Sequence, residues 1–256
     1  MANGFTHIRL ASVASTNAEM KSQASQLATN AVISAVEQTA GRGQRGNTWE
    51  ASPEENVTMS MLLRPRHFKA SEQFYISQIV AVAVADAVRG LLLRASCQDV
   101  EDVGVKWPND VYVGDRKICG ILIENSLSGH GIQHSIAGIG VNVNQREFLS
   151  DAPNPVSLYQ LTGMCWAVEE VIELIADGIV RLMDLYDREG ADMEQLQREY
   201  GGILWRREGF HPYIDNIAGE AISAAIDRVA PDGMLTLRLA DGSQRTYAFK
   251  EVAAVI

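Results

Sequence analysis

Apolar residues recur along this chain at two spacings, three to four residues apart in some stretches and two in others, and the change from one to the other marks out its elements. From Ser71 onward, Ile76, Ile79, Val80, Ala83, Val84, Ala87, Val88 and Leu91 follow a helical period and leave few polar sides, so this helix is expected to be buried. Val171, Ile172, Ile175, Ile179, Leu182 and Tyr186 form a single stripe, which predicts an amphipathic helix from Val168 to Tyr186. Thr16-Asn17-Ala18-Glu19 has the form of a capping box and opens a shorter helix, expected to end near Leu27. Residues 31–37 and 57–63 read as strands. Shorter β-like runs at 103–106, 111–113, 118–124 and 135–142 are separated by turns at Pro108-Asn109, Gly114-Asp115 and Ser128-Gly129. Beyond Gly209 the texture becomes short alternating segments, as in Leu235, Leu237 and Leu239, punctuated by Pro231-Asp232-Gly233 and Asp241-Gly242.

Composition narrows the class. The chain has 256 residues, 46% of them hydrophobic and 21% charged, enough for one sizeable core and a small appendage. About 45 residues cannot bury much core alone, so the last β unit is expected to pack on the rest. No stretch approaches roughly 18 uninterrupted apolar residues, and the first residues lack a charged-then-apolar leader, so a cytoplasmic protein without a membrane anchor is expected. Cys97, Cys119 and Cys165 lie far apart without metal-ligand spacing and read as idle thiols. A formal charge of -10 disfavours a protein whose main partner is a nucleic-acid backbone. It does not disfavour a small bound anion, because distant acids are screened beyond a Debye length of about 8 Å at physiological salt.

Two clusters carry chemistry. Gly41-Arg42-Gly43-Gln44-Arg45-Gly46-Asn47-Thr48-Trp49 combines three glycines, which let the backbone approach a ligand, with two guanidinium forks suited to carboxylate or phosphate. The string also fits G-x-G-x-x-G, but a turn-like stretch and a strand follow it where a dinucleotide site needs a helix, so that reading is set aside. The second cluster is Lys106-Trp107-Pro108-Asn109-Asp110, followed by Lys117 and Gly120. Together the clusters place Arg42, Arg45, Lys106 and Lys117 on loops and strand edges of one sheet, with Asp110 able to hold a divalent cation through oxygen. Such a cleft suits a reaction that brings two anions together.

These motifs, with Ser15-Thr16-Asn17 and Gly138-Ile139-Gly140-Val141-Asn142, stand in the order and spacing of the biotin protein ligases, and the chain resembles that family over its whole length. The resemblance implies an α/β (α+β) fold, in which a mixed, largely antiparallel sheet packs with helices. It divides the chain into a catalytic domain over 1–208 and a small β-barrel domain over 209–256. It implies that biotin and ATP, with Mg2+, form biotinyl-5'-AMP and pyrophosphate, and that biotin then passes to one lysine of a biotin carboxyl carrier domain. Because the first motif begins at Ser15, the short form is expected, without the helix-turn-helix that makes some members repressors, and hence no DNA partner. Monomer and homodimer are both compatible with the sequence.

The resemblance also assigns roles. Arg42 and Lys117 are expected at the biotin carboxylate and α-phosphate, and Lys106 near the phosphates. Ser15, Thr16 and Gln38 are expected on biotin's ureido ring, with Asn17 in the same motif and backbone groups near Gly120 closing the pocket. Gly41, Gly43, Gln44, Arg45 and Gly46 form the ligand-closing loop. Trp49 is expected to stack on adenine and Asn142 to meet its edge, while Asn109 and Asp110 serve nucleotide and metal. Asp110 is also a candidate to deprotonate or orient the acceptor lysine. No residue is required as a covalent nucleophile. One departure is Gln44, where many members carry arginine; an uncharged donor there implies a looser hold on biotinyl-AMP. The nearest alternative is a lipoate-type ligase of the same fold.

Overall fold

The computed structural model describes residues 4–43, 48–129, 131–150 and 152–256. Its main body is a seven-stranded sheet in the order β1-β2-β3-β7-β6-β5-β4. The strands are β1 (Thr6–Val13), β2 (Ala31–Gln38), β3 (Asn56–Leu63), β4 (Val103–Lys106), β5 (Asp110–Val113), β6 (Arg116–Ser128) and β7 (Gly131–Asn142). Only β1 and β2 run parallel, and every other pairing is antiparallel, so the sheet is mixed and largely antiparallel as expected. The strand β1 was not expected from the apolar pattern. It lies at the sheet edge with all of its side chains exposed or half-exposed, and only Ile8 and Leu10 alternate with polar neighbours, too short a run to stand out.

The helix α2 (Phe74–Arg94) and the amphipathic α4 (Val168–Tyr186) pack against one face of this sheet. All six stripe residues of α4 named above are buried. With the turn before it, α2 spans Ala70–Arg94 and is long and apolar enough to cross a membrane by length and composition, yet most of it is buried inside the protein. Its apolar sides are used by the sheet and by α4. Each Val, Leu or Ile buried this way contributes roughly 1.5–3 kcal/mol. Gly90 sits inside α2 with nothing within 4 Å of where a Cβ would be. Gly90→Ala is therefore expected to stabilise the fold by about 0.5–1 kcal/mol, seen as a raised thermal midpoint, since alanine restricts the unfolded chain and meets no neighbour.

On the opposite face lies α1 (Thr16–Gln23), over a smaller cluster of Met20, Ala24, Ala31, Ile33, Leu62 and Ile136. This helix departs from the expectation in two ways. The residue in cap geometry is Ser15, and its side chain makes no capping bond. The Thr16 hydroxyl donates instead to Gln38, and Glu19 accepts from Gln23, so no capping box forms. The helix also ends at Gln23 rather than near Leu27.

After α3 (Leu158–Thr162) and α5 (Met193–Gly202), the chain forms a second, five-stranded antiparallel sheet in the order β11-β10-β9-β8-β12. Its strands are β8 (His211–Asp215), β9 (Glu220–Val229), β10 (Leu235–Leu239), β11 (Gln244–Tyr247) and β12 (Val252–Ala254). This is the small β unit expected; the ladders among the described residues leave β11 and β12 at its two ends. It is joined to the main sheet through Trp107, whose indole N–H donates to Gly233 O (3.0 Å) and whose ring meets Phe249 edge-on at 6.1 Å.

Candidate active site

A cleft of about 1110 Å³ opens between the two sheets, and strand register decides what faces it. Across five strands, Thr58, Gly140, Gly120, Asp110 and Lys106 are successive partners in one row. The adjacent row is Val57, Val141, Cys119, Val111 and Val105, all fully buried in the core. Because side chains alternate, the first row lies on the face away from this core and supplies cleft-lining residues.

Lys117 belongs to the core row by parity, being two residues from Cys119. A bulge corrects this. Val111 pairs with Cys119, but Tyr112 pairs with Lys117, so Ile118 is one residue extra and is fully buried. Lys117 is thereby turned to the cleft, where its Nζ lies 2.8 Å from Asp110 Oδ1. The start of β6 is braced from outside, since Lys117 N donates to Asn154 O (2.7 Å) and Lys117 O accepts from Val156 N (2.9 Å).

Lys106 comes from the end of β4, before a cis Trp107–Pro108 peptide. Burial pulls its amine below the usual lysine range. Asp110 opposes that shift, while Lys117 and Arg206 add to it. Asn109 lines the cleft from the turn that follows, where its Nδ2 donates to Ile121 O and Ile121 N donates back to Asn109 O (3.1 Å), tying the turn to β6.

The arginine loop is closed at its neck by an antiparallel bridge between Arg42 and Thr48 and by Trp49 N donating to Gly41 O (3.1 Å). A Cβ on Gly41 would meet Trp49 O at 2.6 Å, so this glycine is required by close approach. Arg42 and Gly43 line the cleft with Lys106 and Lys117. The positions Gln44, Arg45 and Gly46 lie outside the described residues. Trp49 rests on a floor made by Gly120 and Gly140, where a Cβ at Gly120 would already come within 3.0 Å of its ring. Lys117 Nζ stands 5.7 Å from the ring centroid.

Two polar atoms in this wall are buried without a protein partner among the described residues, the donor Trp49 Nε1 and the acceptor Asn142 Oδ1. Asn142 Nδ2 is held by Val156 O (3.1 Å), which leaves the carbonyl end unmet. An unmet buried polar group costs about 1–3 kcal/mol, so a ligand with a complementary edge is favoured here.

At the other end, Thr16, Asn17 and Gln38 form a buried or half-buried network completed by Ser60 and Glu124, with Ser15 buried beside it. Gln38 Oε1 accepts from Thr16 N (2.8 Å) and Thr16 Oγ1 (3.1 Å). Ser60 Oγ lies 2.8 Å from Thr16 Oγ1 and 2.6 Å from Asn17 Oδ1, and Asn17 Nδ2 donates to Glu124 Oε2 (2.7 Å). Thr16 and Asn17 are thus largely committed to protein partners, while the Ser15 hydroxyl has none among the described residues.

Residues that sequence reasoning missed include Ser60, Glu124, Tyr112, Trp205 and the cleft residues of the second sheet, Tyr213, Asn216 and Lys250. Ser60 had a signal: Asn56, Thr58 and Ser60 alternate with Val57, Met59 and Met61 in a strand buried on both faces. Glu50 was also missed. Burial pushes its carboxyl up, but hydrogen bonds from Leu149, Ser150 and Gln145 outweigh this and hold it below its ordinary value, so it anchors the loop over the cleft.

A family model described as the biotin/lipoate A/B protein ligase family matches residues 8–142. The biotin--[acetyl-CoA-carboxylase] ligase of Paracoccus denitrificans is 36% identical over 191 residues, which cover 71% of this chain and 74% of that protein. The bifunctional ligase/repressor BirA of Bacillus spizizenii is 34% identical over 137 residues, 52% of this chain but 39% of that protein. Among solved structures, the biotin protein ligase from Aquifex aeolicus in complex with biotin and ATP superposes with a TM-score of 0.77, covering 98% of this chain and 99% of that one. At 23% identity that likeness establishes the fold. The chain belongs to the biotin/lipoate A/B protein ligase family, and it is a ligase.

Proposed function

We propose that this cleft joins biotin to ATP and delivers biotin to a lysine of a carrier domain. The observation that carries the reading is the convergence of Arg42, Lys106 and Lys117, from a loop and two strands, on one cleft with the Lys117-paired carboxylate of Asp110 and a glycine floor. In the first step a carboxylate oxygen of biotin attacks the α-phosphorus of ATP and pyrophosphate leaves. Both reactants are anions, so catalysis must neutralise charge and hold them in line, and orientation alone can supply about 7–11 kcal/mol. Arg42 and Lys117 meet the biotin carboxylate and α-phosphate, and Lys106 the outgoing phosphates. In the second step the amine of the carrier lysine attacks the acyl carbon and AMP leaves. Only about a thousandth of that amine is neutral near pH 7 at a pKa of about 10.4, so Asp110 serves to take or direct its proton.

Ser15 and the Gln38 amide bind the ureido ring, within the network that Thr16 and Asn17 hold in place. Trp49 and Asn142 take the base, whose exocyclic amine suits the unmet Asn142 carbonyl. Magnesium enters with ATP. Asp110 fits such a metal, since one of its oxygens is taken by Lys117 and the other has no protein partner among the described residues. One carboxylate suits an ion held mainly by phosphates and water. Glu50, the other acid in the cleft, has its oxygens engaged by the 149–150 backbone.

Residues 1–208 form the catalytic domain and residues 209–256 a small domain that supplies part of the nucleotide wall. The carrier is the biotin carboxyl carrier domain of a carboxylase, and the reaction is placed in the cytoplasm. Incubation with biotin, magnesium ATP and such a carrier should add one biotinyl group to one lysine, read by intact mass and peptide mapping. Lipoate in place of biotin should give no ATP–pyrophosphate exchange. Exchange driven by lipoate and not biotin would overturn the assignment.

A further inference from the structure

The strand that carries Lys106 has a neighbour beyond its ladder. In the sheet, β4 pairs only with β5 and stands at the edge. Its other side is taken by the segment that leaves α5. Val105 N donates to Ile203 O (2.7 Å) and Trp205 N donates to Val105 O (2.9 Å), laying Leu204 beside Val105 in parallel. This strap delivers Trp205, and the indole N–H donates to Gly114 O (2.9 Å), which fixes the ring.

Against that ring and Tyr112 stands the Lys106 ammonium. Lys106 Nζ lies 5.6 Å from the Trp205 centroid, 5.0 Å from the Tyr112 centroid and 3.3 Å from the Tyr112 hydroxyl. The two rings are 5.5 Å apart and tilted by 44°, forming two walls of a box, and the Arg206 guanidinium covers Trp205 at 4.0 Å. Lysine is flexible, with about 2 kcal/mol of rotamer entropy to lose when held. Asp110 lies directly opposite Lys106 in the ladder, yet the ion pair among the described residues is Asp110 with Lys117. The groups beside its ammonium are the Trp205 ring and Tyr112, whose hydroxyl accepts a hydrogen bond from it. An aromatic face attracts an ammonium by about 0.5–2 kcal/mol, more as water is excluded.

We infer that Tyr112 and Trp205 are positioning residues: they hold the Lys106 ammonium at the cleft wall in place to meet the phosphates of ATP, with the 203–205 strap setting the ring. The inference rests on Lys106 contacting phosphate, as proposed above. It also makes the junction between the two sheets part of the nucleotide site.

The test compares Trp205→Leu, Trp205→Phe, Tyr112→Leu and Lys106→Ala by calorimetric titration with a non-hydrolysable ATP analogue, by the separate KM values for ATP and biotin, and by thermal melts. Trp205→Leu should weaken analogue binding and raise the KM for ATP about 10-fold, with the KM for biotin within about 2-fold. Trp205→Phe should recover most of the loss, because a ring remains. A folded Trp205→Leu that binds the analogue like wild type, or that shifts both KM values alike, overturns the inference. So does a Phe variant as weak as the Leu variant. If Trp205→Leu does not fold, Tyr112→Leu is judged by the same ATP-selective loss, and unchanged analogue binding there is equally fatal. Lys106→Ala separates the layers. If it leaves analogue binding unchanged, the phosphate role itself fails. If it weakens binding and neither aromatic variant does, only the positioning role fails.

Discussion

Lys117→Met should lower biotin-dependent ATP–pyrophosphate exchange by about 10³-fold while leaving the folded protein close to its original stability. The large effect follows from geometry. The bulge at Ile118 exists in the structure as the device that turns Lys117 out of the core row and onto the cleft, and its Nζ sits 2.8 Å from Asp110. A cation held there before substrate arrives needs no reorganisation as charge develops on the phosphoryl oxygens. Methionine keeps much of the stem and removes the charge. The stability cost is small because the Lys117 and Asp110 side chains are 30% and 24% exposed, and partly solvated pairs contribute about 0–1 kcal/mol. Asp110→Asn should slow both steps, exchange through a weaker hold on magnesium ATP and transfer from preformed biotinyl-AMP by about 10²-fold. Exchange within 10-fold of wild type in Lys117→Met would remove Lys117 from the chemistry, and full-speed transfer by Asp110→Asn would remove the proton role.

The second large effect is expected at Gly138→Ala. The backbone at Gly138 is not in the left-handed region, so the whole penalty comes from what a methyl group meets, and it would overlap the Asn17 amide. That amide cannot swing aside cheaply. Its oxygen accepts from Ser60 (2.6 Å), and its nitrogen donates to Glu124 (2.7 Å) and Leu122 O (3.4 Å), all in a site where Asn17 is only 4% exposed. Overpacking of this kind costs about 1–3 kcal/mol. Displacing Asn17 also disturbs Ser60 and, through it, Thr16 and Gln38, so biotin affinity should fall by about 30-fold. ATP binding should change little. Calorimetric titration with biotin decides it: affinity within about 3-fold of wild type would mean the network is not what prepares the ureido end. The opposite sign expected at Gly90→Ala shows that the neighbours, not the residue type, set the outcome.

The fold was largely readable from periodicity, and the exceptions have causes. The 19 residues of α4 carry one clear stripe and fell where expected. The edge strand β1 is solvated and alternates only over His7-Ile8-Arg9-Leu10, too short a run to stand out, and the strands of the second sheet are half-exposed and, β9 apart, five residues or fewer, so they read only as a texture. The capping-box pattern at Thr16 misled because a threonine hydroxyl can serve a tertiary partner as well as a helix N–H, and here Gln38 and Ser60 take it. In the cleft, Arg42, Lys106, Asp110 and Lys117 were legible because charged side chains around glycine and proline turns are unusual enough to notice. Tyr112 and Trp205 were not, because an aromatic residue reads as core until its neighbours are known.

By itself the sequence determined the kinds of element, the chemistry of the two charged clusters and their order, because spacing and residue type are local properties. Tertiary structure alone decided that Lys117 faces Asp110 and not the core, since a one-residue bulge reverses the face of everything beyond it. It also brought Trp205 beside Lys106 from 99 positions away, the difference of their numbers, through a strap whose pairing no local pattern encodes.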